Sequence, residues 1–319
     1  MKVFFIHDPS DWHPKHALEL FRRQTSLKPV TDYQNADLIW IFNEGNFFRS
    51  RRFFGLTPII PLGKLKHKLI VTSINHELFA RKKYQWQKPL LILDRITDYY
   101  HAPSRKIFRQ LKPLVSKPVK ILPYWIDLSL FYPLEDKLTL RKKFPLPADK
   151  IIIGSFQRDT ESHDLKSPKL EKGPDILLKI CRQLKKEIFV LLAGPNRQYL
   201  IKRFQKHQIP FLYLGQIDYY EMNFYYNLVD WYLVTSRYEA GPQAVFEAAA
   251  TKTKILSTSV GSAADILHLN CLCRDPDEFV RKFHQEIDET EFNFRKVQDF
   301  RLEKIIPQYD QFFKSLLKK

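Results

Sequence analysis

The sequence predicts an α/β protein of two doubly wound domains, and three observations carry that expectation. Short apolar, β-branched and aromatic runs alternate with amphipathic stretches along the 319 residues; a charged, proline-punctuated segment interrupts the alternation near the middle; and six of the nine glycines fall in the second half. A chain of this length exceeds one ordinary core, so two domains of roughly 100–200 residues are expected. With 44% hydrophobic and 14% aromatic residues there is apolar material for both.

In the first half, KVFFIH (2–7), ADLIWIFN (36–43), KLIVTSI (68–74) and VKILPYWI (119–126) read as strands. Unbroken apolar runs, rather than strict alternation, mark strands covered on both faces. HPKHALELFRRQ (13–24) and SRKIFRQLKPLV (104–115) space their apolar residues near the helical period. Strand, helix, strand predicts a parallel sheet. The charged, proline-rich stretch 128–150 is the expected boundary. Alternation then resumes with IIIGSF (151–156), EIFVLLAG (187–194), FLYLG (211–215), DWYLVTS (230–236) and KILSTSVG (254–261), a second parallel sheet. The tail 277–319 is helical in pattern, with Pro307 expected to break or kink it. Its aromatic residues, Phe292, Phe294, Phe300, Tyr309, Phe312 and Phe313, need a surface to cover, and the first domain is the candidate. The domains expected are therefore 1–135, with about 290–319 returning to it, and 136–289.

Charge separates the halves. Residues 1–150 hold 27 Lys and Arg against 13 Asp and Glu, whereas the rest holds 25 against 22. A basic domain suits a polyanionic partner: an anionic membrane surface, an acidic glycan or, less favoured for want of a recognisable motif, nucleic acid. In FFRSRRFFG (47–55), Arg49, Arg51 and Arg52 stand between two phenylalanine pairs, as at a headgroup boundary. The same pattern suits phenylalanines buried beneath a solvated basic loop, and the sequence leaves both readings open. No apolar run is long enough to span a membrane and the initial one breaks after five residues, so a cytoplasmic protein is expected, with the basic domain able to meet the inner membrane face. Cys181, Cys271 and Cys273 are expected to be reduced thiols, and no metal site is read from them.

Gly154, Gly173, Gly194, Gly215, Gly241 and Gly261 punctuate the second half, five of them in or just beyond a strand. Ligands of open α/β sheets bind outside the carboxyl ends of the strands, where glycine admits close approach and helix N-termini present N–H groups to anions. A phosphorylated ligand is expected there. The stretch SRYEAGPQAVFEAAATKTKILSTSVGSAADIL (236–267) supplies the chemistry. A strand ends, a loop carries Glu239 and Gly241, and a helix begins at Pro242, a favoured residue for a first turn. Amides near Gln243, Ala244 and Val245 can hold a diphosphate, while Glu239 and Glu247 can accept hydrogen bonds from vicinal hydroxyls. A nucleotide sugar has both features. Taken alone, the two glutamates also fit a helix N-terminal carboxylate and a solvated one.

This stretch resembles the Glu-x7-Glu motif of the retaining glycosyltransferases of family 4. IIIGSFQRD followed by KLEKGPDILLKICRQL resembles that family's strand, arginine and Lys-Gly helix start, and ILPYWIDLSLFYP resembles the segment that joins its domains. The resemblance implies the GT-B fold, two Rossmann-like domains facing each other across a cleft, and transfer of a sugar from a nucleotide-diphosphate donor (UDP-, GDP- or ADP-sugar) with retention, no covalent enzyme intermediate and no metal. It gives Glu247 the ribose hydroxyls, Glu239 the transferred sugar, and Arg158 and Lys172 the diphosphate. Thirteen residues separate the last two, an unusual interval, so Lys166 or Lys169 could take either role. Gly154, Gly194, Pro195, Gly241 and Pro242 would line the donor, with Pro195 or Tyr219 near the base. VTSINHELF places His76 near the reacting carbon or the acceptor hydroxyl, against the alternative of a structural histidine. Two departures stand out: Glu239-Ala240-Gly241-Pro242 replaces the usual Glu-Gly-Phe-Gly, and HDPSDWHPKH replaces the glycine-rich loop after the first strand. The acceptor expected is a glycan or lipid-linked hydroxyl. A phosphorylase or inverting transferase of the same fold, or a partner subunit without turnover, are the rivals.

Overall fold

The structure is a computed structural model that describes residues 1–7, 12–51, 55–65, 67–75, 84–135, 137–142 and 144–317. The chain divides into two units, Met1–Trp125 with Phe300–Lys319, and Ile126–Asp299.

The first unit contains β1 (Lys2–Ile6), β2 (Lys28–Pro29), β3 (Leu38–Ile41), a separate antiparallel hairpin of β4 (Phe48–Arg51) and β5 (Gly55–Pro58), then β6 (Leu69–Ser73), β7 (Tyr99–Ala102) and β8 (Val119–Ile121). Apart from the hairpin these form one parallel sheet in the order β2-β1-β3-β6-β7-β8. β3 is buried at all four residues because helices cover both faces. Trp40 anchors an aromatic cluster with Phe5, Phe21, Tyr309 and Phe313. Its indole N–H donates to Ser73 Oγ at 2.8 Å, and Ser73 Oγ lies 2.7 Å from His101 Nδ1. His101 Nε2 meets the Leu122 carbonyl at 2.7 Å, and burial pushes this imidazole down to about 4, so it is a neutral part of the core.

The C-terminal helix Leu302–Leu316 belongs to this unit. Asp310 accepts hydrogen bonds from Thr25 Oγ1 and from Ser26 N and Oγ, fixing the turn after the helix Trp12–Gln24. Pro307 does not end the C-terminal helix. The acceptor it leaves without a partner is the carbonyl of exposed Glu303, which water can reach, while Ile305, Ile306, Tyr309 and Phe313 bury the opposite face. The stretch 104–115 is likewise not one helix but Arg105–Leu111 followed by a 3-10 turn Lys112–Leu114, where Pro113 lacks the N–H that would continue it.

The second unit contains β9 (Ile151–Ser155), β10 (Ile188–Leu192), β11 (Phe211–Tyr213), β12 (Trp231–Val234), β13 (Lys254–Thr258) and β14 (Leu272–Cys273). All pairings are parallel, in the order β11-β10-β9-β12-β13-β14. This is the doubly wound order that reverses direction between its first and fourth strands, so the chain leaves β9 and β12 on opposite sides and opens a crevice at their carboxyl ends. Cys181, Cys271 and Cys273 are free and buried, and burial pushes the Cys271 thiol up to about 11. No helix among the described residues is long and apolar enough to cross a membrane.

Candidate functional site

The loops leaving β9 and β12 converge at that crevice. Beyond β9, the chain reaches Gln157 and Arg158, then a longer excursion ending in the 3-10 turn Leu170–Lys172. Gly173 follows with φ +63, and the helix Pro174–Leu184 begins. A β-carbon at Gly173 would lie 1.8 Å from the Thr235 carbonyl oxygen, so only glycine lets the two loops touch. Thr235 returns the contact through its hydroxyl, which donates to Gly173 O at 3.0 Å.

The contact continues along both loops. Arg237 N–H donates to Glu171 O at 2.8 Å. Its guanidinium forms two bonds of 2.7 Å with the Asp175 carboxylate and one of 2.9 Å with Leu170 O. The hydrogen bonds from Arg237 hold the Asp175 carboxyl below its ordinary range. Gln157 donates to Lys172 O at 3.1 Å and faces the Ser236 hydroxyl.

This frame brings Lys172 and Glu239 together. The ammonium is 2.5 Å from Glu239 Oε1, which also accepts from Ser236 Oγ at 2.9 Å. From the other side, a β-carbon at Gly261, with φ +47, would lie 2.6 Å from Glu239 O, so the loop after β13 backs the Glu239 backbone. The Lys172–Glu239 pair retains partial solvent access.

Glu247 stands apart from that pair, 5% exposed in the helix Gln243–Ala250. Tyr226 OH donates to its Oε2 at 2.7 Å. Burial pushes the Glu247 carboxyl up to about 7, against the opposing effect of that bond. No side chain caps the helix at Pro242. Val245 N–H is already given to Pro242 O at 3.0 Å, which removes it from the amides expected to meet a phosphate, and its side chain is fully buried. Ala244 N–H remains among the first-turn amides that a helix itself leaves without an acceptor.

The other expected residues are more scattered. Arg158 is exposed and pairs with no described carboxylate, whereas its neighbour Gln157 turns toward Lys172. Lys169 lies 3.8 Å from Glu161 and Lys166 is exposed. Gly154 is buried inside β9; Gly194 N–H bonds Gly215 O at 2.8 Å beside exposed Pro195; Gly241 is half-buried; and Tyr219 is packed on Phe131. His76 and Arg52 lie outside the described residues, and Arg49 and Arg51 are placed as backbone in β4. Among the described residues no three His, Cys, Asp or Glu side chains gather as a metal ion requires.

Sequence reasoning passed over Gln157, Ser236, Arg237 and Tyr226, and also the ion pair of Arg197 with Asp159, 2.8 Å apart. Both are buried, and Arg197 also donates to Ser155 Oγ at the end of β9. Burial pulls the guanidinium down and pushes the carboxyl up, each opposed by the other's charge. The available signal was position: each of Gln157, Asp159, Ser236 and Arg237 lies within four residues of a strand's carboxyl end.

Residues 139–292 match the family model of the glycosyl transferases, group 1. The match lies within the second unit, Ile126–Asp299. None of the curated proteins matches the sequence. The fold is shared with solved structures of low identity. The sucrose-phosphate synthase of Thermosynechococcus elongatus aligns at 16% identity and TM-score 0.74, covering 100% of this chain and 99% of its own. HepE of Anabaena, in complex with UDP and glucose, aligns at 13% and 0.71 with the same coverage. A glycosyltransferase from Rickettsia africae aligns at 14% and 0.70, again covering 100% and 99%. These likenesses, with two parallel six-stranded sheets and flanking helices, give the chain the GT-B glycosyltransferase fold.

Proposed function

We propose that this protein transfers a sugar from a nucleotide-diphosphate sugar to an acceptor hydroxyl, with retention at the anomeric carbon and without a metal. The observation that carries the reading is the Lys172–Glu239 pair, fixed at the carboxyl ends of β9 and β12 within the residues that match the family model. Lys172 and Arg158 supply the positive charge that a leaving diphosphate needs, in place of a divalent cation. Glu239 accepts hydroxyls of the transferred sugar and Glu247 those of the ribose. The Ala244 amide, at a helix N-terminus, adds a donor to the phosphates. Lys172 pre-oriented by Glu239 and Ser236 meets the developing charge with little reorganisation, the property that makes such sites effective. The acceptor is held by the basic first unit, with His76 at the acceptor hydroxyl and Arg49, Arg51 and Arg52 toward an anionic glycan or membrane surface. A liposome sedimentation assay beside a DNA shift assay at matched salt separates that surface from a nucleic acid.

A uridine donor is the first to test, because HepE holds UDP and glucose. The test is a thermal-shift panel of UDP-, GDP- and ADP-sugars on wild type and Glu247→Ala. Stabilisation by one nucleotide class, lost in the variant, is expected; no shift with any of them would overturn the donor site.

A further inference from the structure

We propose that Tyr226 is a positioning residue for donor recognition: it occupies one oxygen of Glu247 and so aims the other at the ribose. The inference rests on reading Glu247 as the ribose acceptor. Tyr226 lies in the helix Met222–Leu228 and its hydroxyl donates to Glu247 Oε2 at 2.7 Å. The ring cannot swing away. Phe156 and Tyr232 pack against it at centroid distances of 5.2 and 5.1 Å, and Phe131 at 6.2 Å. Its carbonyl accepts from Thr253 Oγ1 at 2.8 Å, which leaves Thr253 Oγ1 to accept from the hydroxyl of Thr251, 2.9 Å away at the C-terminal end of the Glu247 helix. The helix bearing the phenol and the helix bearing the carboxyl are therefore joined both at the side chains and through these two threonines.

Oε1 takes no hydrogen bond from a described residue, so it is the oxygen left to accept from a ligand. The groups facing the carboxyl are tyrosines: Tyr219, Tyr226 and, from β12, Tyr232, all held neutral by burial. On the helix Thr290–Val297, which packs against the Glu247 helix, Glu291 is paired with Lys252, Arg295 donates to the Glu291 carbonyl and Lys296 is paired with Asp299. Lys254 of β13 is paired with Asp288, and Asp265 of the short helix Ala263–Ile266 is half-buried. Burial favours the neutral carboxyl and the phenol opposes it by donating to the ionised form; an ionised carboxyl accepts from a ribose diol better than a neutral one.

Calorimetric titration with UDP and with 2′-deoxy-UDP between pH 5.5 and 9 tests this on wild type, Tyr226→Phe and Glu247→Gln. In wild type, UDP affinity should fall as pH drops through about 7. Tyr226→Phe keeps the ring and its packing but should bind UDP about fivefold more weakly at neutral pH, the loss of roughly one hydrogen bond's net value. Its pH midpoint should lie higher by about half a unit or more, with affinity recovering at pH 9. Glu247→Gln should lose both discrimination against the deoxy compound and the part of the pH dependence not owed to UDP's own phosphate. A Tyr226→Phe profile superimposable on wild type, with Glu247→Gln behaving as stated, overturns the role of Tyr226 alone. Undiminished ribose discrimination in Glu247→Gln removes the reading beneath it, and so does failure of wild type to bind UDP, GDP or ADP.

Discussion

The Lys172 ammonium lies 2.5 Å from the Glu239 carboxylate although the two are 67 positions apart in the chain. Neither side chain reaches that geometry by itself, since each sits on a loop and the loops are set by β9 and β12. Two charges held this close act as one unit. Removing the cation leaves the carboxylate without its partner in a partly enclosed site; removing the carboxylate frees the lysine from its orientation. Lys172→Ala and Glu239→Gln should each lower kcat/KM by about a hundredfold or more, and the double variant should be little worse than the poorer single. Losses that multiply in a double-mutant cycle would show two independent contributions instead.

Arg237 is the tie between those loops, through its paired bonds to Asp175 and its bond to Leu170 O. Both partners are about a third exposed, so screening keeps the stability contribution near 1 kcal/mol or less. The larger effect should fall on catalysis. Arg237→Ala is expected to reduce kcat about tenfold with a melting point only a few degrees lower, because a small displacement of Lys172 matters more than the energy of the tie. Arg237→Lys should recover little, lacking the fork that engages both Asp175 oxygens. Full recovery by lysine would mean that charge alone is what the loop requires.

At Gly173 the demand is double: a left-handed backbone, and a β-carbon position already filled by the Thr235 carbonyl oxygen. Gly173→Ala should cost about 3 kcal/mol or more in urea unfolding. Gly173→Asn discriminates the two demands, since asparagine tolerates the left-handed region but still carries a β-carbon. Equal damage from both is expected; a benign asparagine would show that the backbone angle, not the contact, is limiting.

How far the sequence reveals this arrangement depends on what each residue's neighbours add. The longest apolar runs, such as IWI in β3 and IIIGS in β9, announce buried strands without help from tertiary structure. Tyr99–Ala102 does not, since four residues containing a histidine read as surface until Ser73 and the Leu122 carbonyl are seen to satisfy the imidazole. The two-residue strands Lys28–Pro29 and Leu272–Cys273 are too short to carry any periodicity. VKILPYWI reads as a long strand, but pairing stops at Ile121, short of Pro123. In the site, the helix start, Glu239 and the Lys-Gly step are local patterns and were legible. That Gln157 rather than Arg158 turns toward Lys172 depends on the path of the chain beyond β9, and the bond from Tyr226 to Glu247 depends on helix packing; neither leaves a mark in the sequence.

Burial of Glu247 makes a prediction about the protein without ligand. A carboxyl whose folded value is raised from the usual 4.5 to about 7 binds its proton more tightly in the folded than in the unfolded chain. Below about pH 4.5 the group is protonated in both states and imposes no penalty. Between about pH 4.5 and 7 the unfolded chain gives up the proton that the folded one still holds, so stability is lost progressively; above about 7 the fold holds a buried anion whose hydrogen-bond donor is a phenol, and the loss levels off at roughly 3 kcal/mol. Glu247→Gln has no such titration. Without donor it should therefore match wild type near pH 4.5 and exceed it at pH 8 by up to about that amount, read as a gain in urea midpoint. With a saturating nucleotide sugar the order should reverse, because wild type gains binding energy that the amide forfeits. A variant less stable than wild type at pH 8 without donor would mean that Glu247 is held by compensating contacts as a structural group.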